Sequence, residues 1–345
     1  MFTFLEVEGF TAFVKERFEW SPGVNVLVGE NGTGKTHLLK LLYCLQKSGV
    51  TEGKDADVSM DTKIANVFCP KDGDLSRLVR RKQGTSAAEI TAQWKGMKKV
   101  MKMSFSNARN WRQSIILPRK WTCSTRPLYI PAKEVFFLSW DGAFLSLYDR
   151  YNLKVDEVHC DLLKLLSLPP IKDTTSTGRQ EAYKETDKAL GGSVQTDSKG
   201  NFYLKRGRAQ LEMALVEEGG RKLSLLWRLM HNGVLLDHKT LYWDEPEANL
   251  NPSMMRHVAN ILLLLARSGT QIFVATHSFE FLQELEILKK KKETQAEVMF
   301  FALALGQNRE VTAKPCDSYE ELEPNKISDE HQRLFDEEVE GFLEK

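Results

Sequence analysis

Apolar and polar residues alternate in two short runs at the start of the chain, FTFLEVEGF over 2–10 and AFVKERFEW over 12–20. A period of two is expected of half-buried strands paired as an antiparallel hairpin. Ser21-Pro22-Gly23 turns the chain into VNVLVG (24–29), a short strand buried on both faces, and from Lys35 the run LLKLLYCLQK has helical spacing. Two later apolar runs, TLYW (240–243) and QIFVAT (271–276), read as core strands of a parallel sheet. The segment 252–268, with ILLLLA at its centre, supplies the helix between them, which makes a βαβ unit.

The residues between these groups have a different texture. Residues 53–76 are turn-rich, PLYIPAKEVFFL (127–138) reads as a buried strand leaving into a loop, and 143–166 reads as helices ended by Leu168-Pro169-Pro170. The polar stretch 171–190 is expected to be mobile, and GSVQTDSKGNFYLKR (192–206) to form a hairpin. The expected fold class is α/β: a mixed sheet with a parallel core and N-terminal antiparallel strands, carrying a mainly helical insertion. The expected division is a discontinuous core over 1–52 and 207–310, an insertion over 53–206 with a basic part 77–126 and a helical part 143–190, and an acidic tail or helix over 311–345. There is no internal repeat and no sustained heptad.

At 345 residues, 28% charged and 42% hydrophobic, the composition is that of an ordinary globular protein. No apolar run reaches the roughly 20 residues that span a bilayer, and the N-terminus lacks a basic leader, so a membrane or secretory destination is not expected. The five cysteines are scattered without CxxC spacing, which argues against a zinc site or disulfide framework and suits a reduced cytoplasmic setting. The net charge of +1 conceals an asymmetry: residues 77–126 hold thirteen Lys or Arg against Glu89 alone, a net of +12, whereas 317–345 carry −8. The split implies a polyanionic partner or mutual contact between the two regions. With Trp94, Trp111 and Trp121 among the cations, the basic part suits three readings: a nucleic-acid surface, a face for an acidic protein, or a solvated face over buried tryptophans.

Gly29-Glu30-Asn31-Gly32-Thr33-Gly34-Lys35-Thr36 fits G-x-x-x-x-G-K-[ST] between a buried strand and a helix. Its glycines let backbone N–H groups wrap phosphate oxygens, and the helix N-terminus favours negative charge there. Lys35 suits the β- and γ-phosphates of ATP, the Thr36 hydroxyl suits Mg²⁺, and Glu30, Asn31, Gly32, Thr33, Gly34 and His37 complete the candidate nucleotide-binding segment. Leu241-Tyr242-Trp243-Asp244-Glu245 is a strand ending in two acids, the form of a Walker B motif. Asp244 is then a metal-side carboxylate and Glu245 the base that polarises the attacking water.

Pro246-Glu247-Ala248-Asn249-Leu250-Asn251-Pro252 follows, and after the next helix comes Ala275-Thr276-His277-Ser278. A strand, Asp-Glu-Pro-Glu, a short loop and a strand ending in Thr-His-Ser resembles the ATPase core of the ABC superfamily, in its non-transporter branch of SMC, RecF and OLD-type ATPases. The resemblance covers 1–45 and 215–300. It implies that Ala248-Asn249-Leu250 is the D-loop, with Asn249 near nucleotide, and that His277 is the switch histidine beside the γ-phosphate. It also implies a signature element that caps the γ-phosphate bound to the opposite subunit. The segment here is Glu217-Glu218-Gly219-Gly220-Arg221-Lys222, with Glu217 near the place of the usual serine, so Arg221 or Lys222 is expected to make the contact. The alternative is a plain helix cap.

In Tyr129-Ile130-Pro131-Ala132-Lys133-Glu134 no Q-loop glutamine is present, leaving Lys133 to sense nucleotide and Glu134 to sense metal, or an ordinary strand exit. The resemblance further implies a homodimer or higher homo-oligomer of nucleotide-sandwiched heads. Stand-alone heads of this branch resemble ATPases of bacterial anti-phage systems that control a separate nuclease or toxin. A DNA-repair or chromosome-maintenance ATPase, and a scaffold that holds ATP with little turnover, are the competing readings.

Overall fold

A computed structural model describes residues 1–49, 58–97, 99–108, 116, 123, 125–136, 143–151, 153–171, 177–237, 239–291 and 296–343. Strands β1 (Phe2–Glu8) and β2 (Lys15–Glu19) pair antiparallel, with Leu5 opposite Phe18. The wholly buried β3 (Val24–Val28) leads through the glycine loop into α1 (Lys35–Lys47) and then α2 (Met60–Phe68). Next come β4 (Ala87–Trp94), β5 (Met101–Ser106), β6 (Pro127–Ile130), α3 (Ala143–Tyr151), α4 (Glu157–Leu166) and α5 (Thr177–Leu190). Three short strands, β7 (Ser193–Thr196), β8 (Phe202–Arg206) and β9 (Ala209–Glu212), precede α6 (Glu218–His231) and α7 (Val234–Asp237). The βαβ unit is β10 (Thr240–Asp244), α8 (Pro252–Arg267) and β11 (Gln271–Thr276). After it lie α9 (Phe279–Lys289), β12 (Val298–Leu305), β13 (Val311–Cys316) and α10 (Lys326–Leu343).

The central sheet has the order β13-β12-β3-β11-β10-β6. All its pairings are parallel except β12 with β13. Because side chains alternate along a strand, each strand feeds both faces. Val24, Val26, Leu241, Trp243, Ile272 and Val274 pack with α6 and α8 on one side. Leu27, Tyr242, Phe273 and Ala275 pack with α1 and the four-stranded sheet on the other. Each fully buried large side chain contributes about 1.5–3 kcal/mol, so the strands bearing the chemistry stand in the most constrained part of the molecule. Asn251 caps α8 by accepting the Met254 N–H at 3.0 Å, and Pro252 opens the helix where its missing N–H costs nothing.

Three expectations are corrected. The stretch 53–206 is mixed rather than mainly helical: β4 and β5 join the N-terminal hairpin in a sheet of order β2-β1-β4-β5, with Val7 opposite Ile90, and β8 pairs with β7 on one side and β9 on the other. Alternating buried and exposed residues along β4 explain the pairing, because only a strand places Ala88, Ile90, Ala92 and Trp94 on one buried face. Residues 177–190 form α5, held by buried Ala182, Tyr183 and Leu190 against α6 and α8. The C-terminal segment begins with an edge strand, β13, before α10. Among the described residues no helix is long and apolar enough to cross a membrane.

The basic part divides. Trp94 is buried and its ring lies 3.8 Å from that of Phe2, so it is core rather than a base-stacking surface. Lys82, Lys95, Lys99 and Lys102 are exposed. Trp111, Trp121, Lys98, Arg109, Arg112, Arg119 and Lys120 lie outside the described residues. Among the described residues no ion pair joins 77–126 to 317–345.

Candidate functional site

The loop between β3 and α1 is shaped by what its glycines permit. Gly34 has φ +86°, and a Cβ there would lie 2.9 Å from the Phe13 ring, so conformation and space both require glycine. The Thr33 hydroxyl donates to Glu30 O at 2.9 Å and closes the turn. Lys35 is buried, and its ammonium donates to Gly29 O at 2.6 Å and Glu30 O at 2.9 Å. Burial lowers its pKa, while Asp244, Glu245, Glu247 and Glu30 act in the opposite direction. The Glu30 carboxylate pairs with Lys326 of α10 at 2.8 Å.

β10 brings its terminal acids to the same place. The Thr36 hydroxyl donates to Asp244 Oδ1 at 3.1 Å. Burial raises the Asp244 pKa to about 6, only partly offset by this hydrogen bond. The chain then turns sharply: Glu245 has φ +49° and its N–H donates to Ala275 O at 2.9 Å, which sets its backbone beside the end of β11. The Glu245 carboxylate lies 3.4 Å from His277 Nδ1, and both side chains are partly exposed. Paired hard oxygens from a hydroxyl and a carboxylate are the donor chemistry Mg²⁺ takes, so Thr36 and Asp244 fit that ion.

A cavity of about 770 Å³ opens over the loop. Asn31, Gly32, Gly34, Lys35, Thr36, His37 and Glu245 line one part of it, and Thr11, Ala12, Arg77, Arg80, Arg81, Asn308 and Arg309 form the remaining wall. The size is right for a nucleotide. Sequence reasoning missed this wall, because Arg77, Arg80 and Arg81 were counted with the basic part and residues 308–309 carried no motif. Arg80 pins the wall together, donating to Ala12 O at 2.6 Å and Arg309 O at 3.0 Å.

Glu247 was also missed, although it stands inside the Asp-Glu-Pro-Glu run. Its carboxylate is buried, and Oε1 accepts the Thr276 hydroxyl at 2.7 Å and the His277 N–H at 3.2 Å. A second acid two residues past the Walker B pair, opposite Thr-His-Ser, was the available signal.

The signature and Q-loop candidates have these surroundings in the fold. Lys222 is buried, and its ammonium donates to Glu245 O and Ala248 O at 2.9 Å and to Pro246 O at 3.3 Å. Arg221 pairs through Nε with Glu134 at 3.1 Å and donates to Val216 O at 3.1 Å. Glu134 also accepts the Phe136 N–H. Lys133 is exposed on the turn after β6 and is not among the residues lining the cavity. Gly219 and Gly220 lie in the first turn of α6, and Asn249 is exposed with φ +63°.

A family profile described as "AAA domain, putative AbiEii toxin, Type IV TA system" matches residues 221–283, the span from the first turn of α6 through β10 into α9. Among solved structures, the chain is similar to the Smc head bound to the C-winged helix domain of ScpA. That likeness has 12% identity and a TM-score of 0.57 over 92% of this chain and 98% of that one. The chain is also similar to the Smc head domain with an extended coiled coil bound to the C-terminal domain of ScpA from Pyrococcus furiosus, at 11% identity and a TM-score of 0.55 over 97% and 98%. No curated protein matches the sequence. The fold is therefore that of an Smc head domain.

Proposed function

We propose that the chain binds Mg·ATP over the β3–α1 loop, hydrolyses it, and uses the cycle of head pairing to control a separate protein. The observation that carries this reading is the meeting of Thr36 at the start of α1 with Asp244, Glu245 and His277 at the ends of β10 and β11, with Thr36 and Asp244 3.1 Å apart and Glu245 and His277 3.4 Å apart. Backbone N–H groups of 31–36 and the start of α1 hold the phosphates, and Lys35 leaves its resting carbonyls for the terminal phosphates. Thr36 and Asp244 hold Mg²⁺, which when bound neutralises phosphate charge. Glu245 orients and polarises the attacking water, with His277 beside it to hold the terminal phosphate. Arg77, Arg81 and Arg309 face the rest of the nucleotide across the cavity.

For the biological role, the family description names a toxin–antitoxin system, and the Smc heads of like fold carry bound ScpA domains. Both support a head acting on a separate protein, in keeping with an anti-phage regulator that controls a toxin or nuclease in the cytoplasm. The DNA-repair reading is weaker, because three of the basic residues turn toward the nucleotide cavity and Trp94 is core. Sedimentation of Glu245→Gln tests head pairing. ATP should convert it to a dimer or larger closed assembly, while Lys35→Ala stays unchanged by ATP. A monomer in every nucleotide state that hydrolyses ATP at a rate per chain unaffected by dilution would rule pairing out.

A further inference from the structure

We propose that Lys222 is a positioning residue that fastens the first turn of α6 to the loop after β10 and so aims the Glu245 carboxylate; this rests on the ATPase reading above. The ammonium has three N–H donors, and three carbonyls, Glu245 O, Pro246 O and Ala248 O, converge on it at 2.9, 3.3 and 2.9 Å. It is 6% exposed. A buried cation is a costly way to join a helix to a loop, since apolar side chains of similar volume do so without desolvating a charge. Burial pushes the ammonium down to about 8, against Glu247, Glu245, Asp244 and Glu134, which favour its charged form.

The loop it holds is strained. Glu245 and Asn249 are both non-glycine residues in the left-handed region, at φ +49° and +63°. Such a turn persists only where its surroundings over-determine it, and Lys222 supplies that restraint on the carbonyl of Glu245 itself. A second contact points the same way. Gly219 stands three residues before Lys222, on the same face of α6, and a Cβ there would sit 2.9 Å from Asn249 O. The first turn of α6 is thus bonded to the loop through Lys222 and packs close against it at Asn249, where only glycine leaves room. A movement of α6 on head pairing is transmitted to Glu245 through the lysine.

The test compares Lys222→Met, which keeps the length without the donors, Lys222→Gln, which keeps two donors without the charge, and Lys222→Arg, which keeps the charge. Each full chain is assayed for Mg·ATP affinity, kcat and KM of phosphate release, and amide hydrogen exchange at Ala248 and Leu250. Those amides donate to Glu245 O and Glu247 O within the loop. Lys222→Met should lose about 100-fold in kcat, with KM and ATP affinity within about threefold of wild type, and its Ala248 and Leu250 amides should lose protection. Lys222→Arg should recover part of the kcat. If Lys222→Met does not fold, Lys222→Gln carries the same expectation in smaller degree. Unchanged kcat and unchanged protection in a folded variant would overturn the proposal, as would kcat and affinity falling together without recovery in Lys222→Arg. If the wild-type protein binds ATP but releases no phosphate, the hydrolysis reading fails separately, and the exchange measurement alone decides the role of Lys222.

Discussion

Replacing Glu247 by alanine is the perturbation whose size the structure sets most directly. The carboxylate is 5% exposed, and a single oxygen accepts both the Thr276 hydroxyl and the His277 N–H. The Thr276 oxygen in turn accepts the Ser278 N–H at 3.1 Å, so one side chain organises the whole turn after β11. Alanine leaves two donors without their acceptor, each costing about 1–3 kcal/mol, which gives a loss of roughly 2–6 kcal/mol in unfolding free energy. It also frees the backbone of His277, whose ring stands 3.4 Å from Glu245, and a displacement of about 1 Å at such a site costs about 100-fold in rate. Glutamine keeps an oxygen at the accepting position, so Glu247→Gln should lose less than half as much on both scales. Urea unfolding followed by tryptophan fluorescence, with phosphate release on the same preparations, measures both. An alanine variant within about 0.5 kcal/mol of wild type, the range of an ordinary surface substitution, and with undiminished turnover would refute the argument.

Behind α1, the Lys63 ammonium meets Asp161 at 2.7 Å and Glu157 at 3.2 Å, and Asp161 also accepts the Tyr43 hydroxyl. Lys63→Met should destabilise the protein by about 3–5 kcal/mol at neutral pH, because it strands buried carboxylate charge; chemical denaturation checks this. Burial raises the Asp161 pKa, but Lys63 and its hydrogen bonds outweigh that and leave it lowered. The folded state thus binds fewer protons than the unfolded one, and the contribution of Asp161, present above the usual carboxylate range, is lost as pH falls through its depressed folded value. In Lys63→Met burial is opposed only by Lys47 and the Tyr43 hydrogen bond, so the Asp161 pKa should rise and the stability lost between pH 7 and pH 5 should shrink. Unfolding free energies at pH 5 and pH 7 for the two proteins separate these slopes.

The end of the molecule proposed to bind nucleotide is legible in the sequence because its geometry admits few residue types. Gly34 has no room for a side chain, Thr36 must reach Asp244, and the strands beneath them are buried on both faces and read as unbroken apolar runs. The βαβ unit is legible for the same reason, with Asn251-Pro252 marking the start of its helix. What is not legible depends on long-range pairing. β4 alternates as plainly as β1, but nothing local says that its partner lies some 80 residues earlier, across the glycine loop and α1. Charge misleads more than pattern does. Arg80 and Lys222 belong by composition to a basic surface and a phosphate contact, whereas in the fold each donates to backbone carbonyls and holds loops in place. An ammonium or guanidinium satisfied by carbonyls leaves no acidic partner in the sequence to reveal it. Glu247 hides in a similar way, since a motif shows which residue types recur but not which oxygen accepts from the turn opposite.

The claim that this site hydrolyses ATP is tested most directly by phosphate release from Mg·ATP, measured with nucleotide binding for wild type, Lys35→Ala and Glu245→Gln. Wild type should bind and turn over ATP. Lys35→Ala should lose binding, because the cation closest to the phosphate loop is gone. Glu245→Gln should keep ATP and Mg²⁺ while its release rate falls about 100-fold or more, since the amide preserves shape and loses basicity. Turnover in Glu245→Gln equal to that of wild type, or a wild-type protein that binds no ATP, would contradict the account.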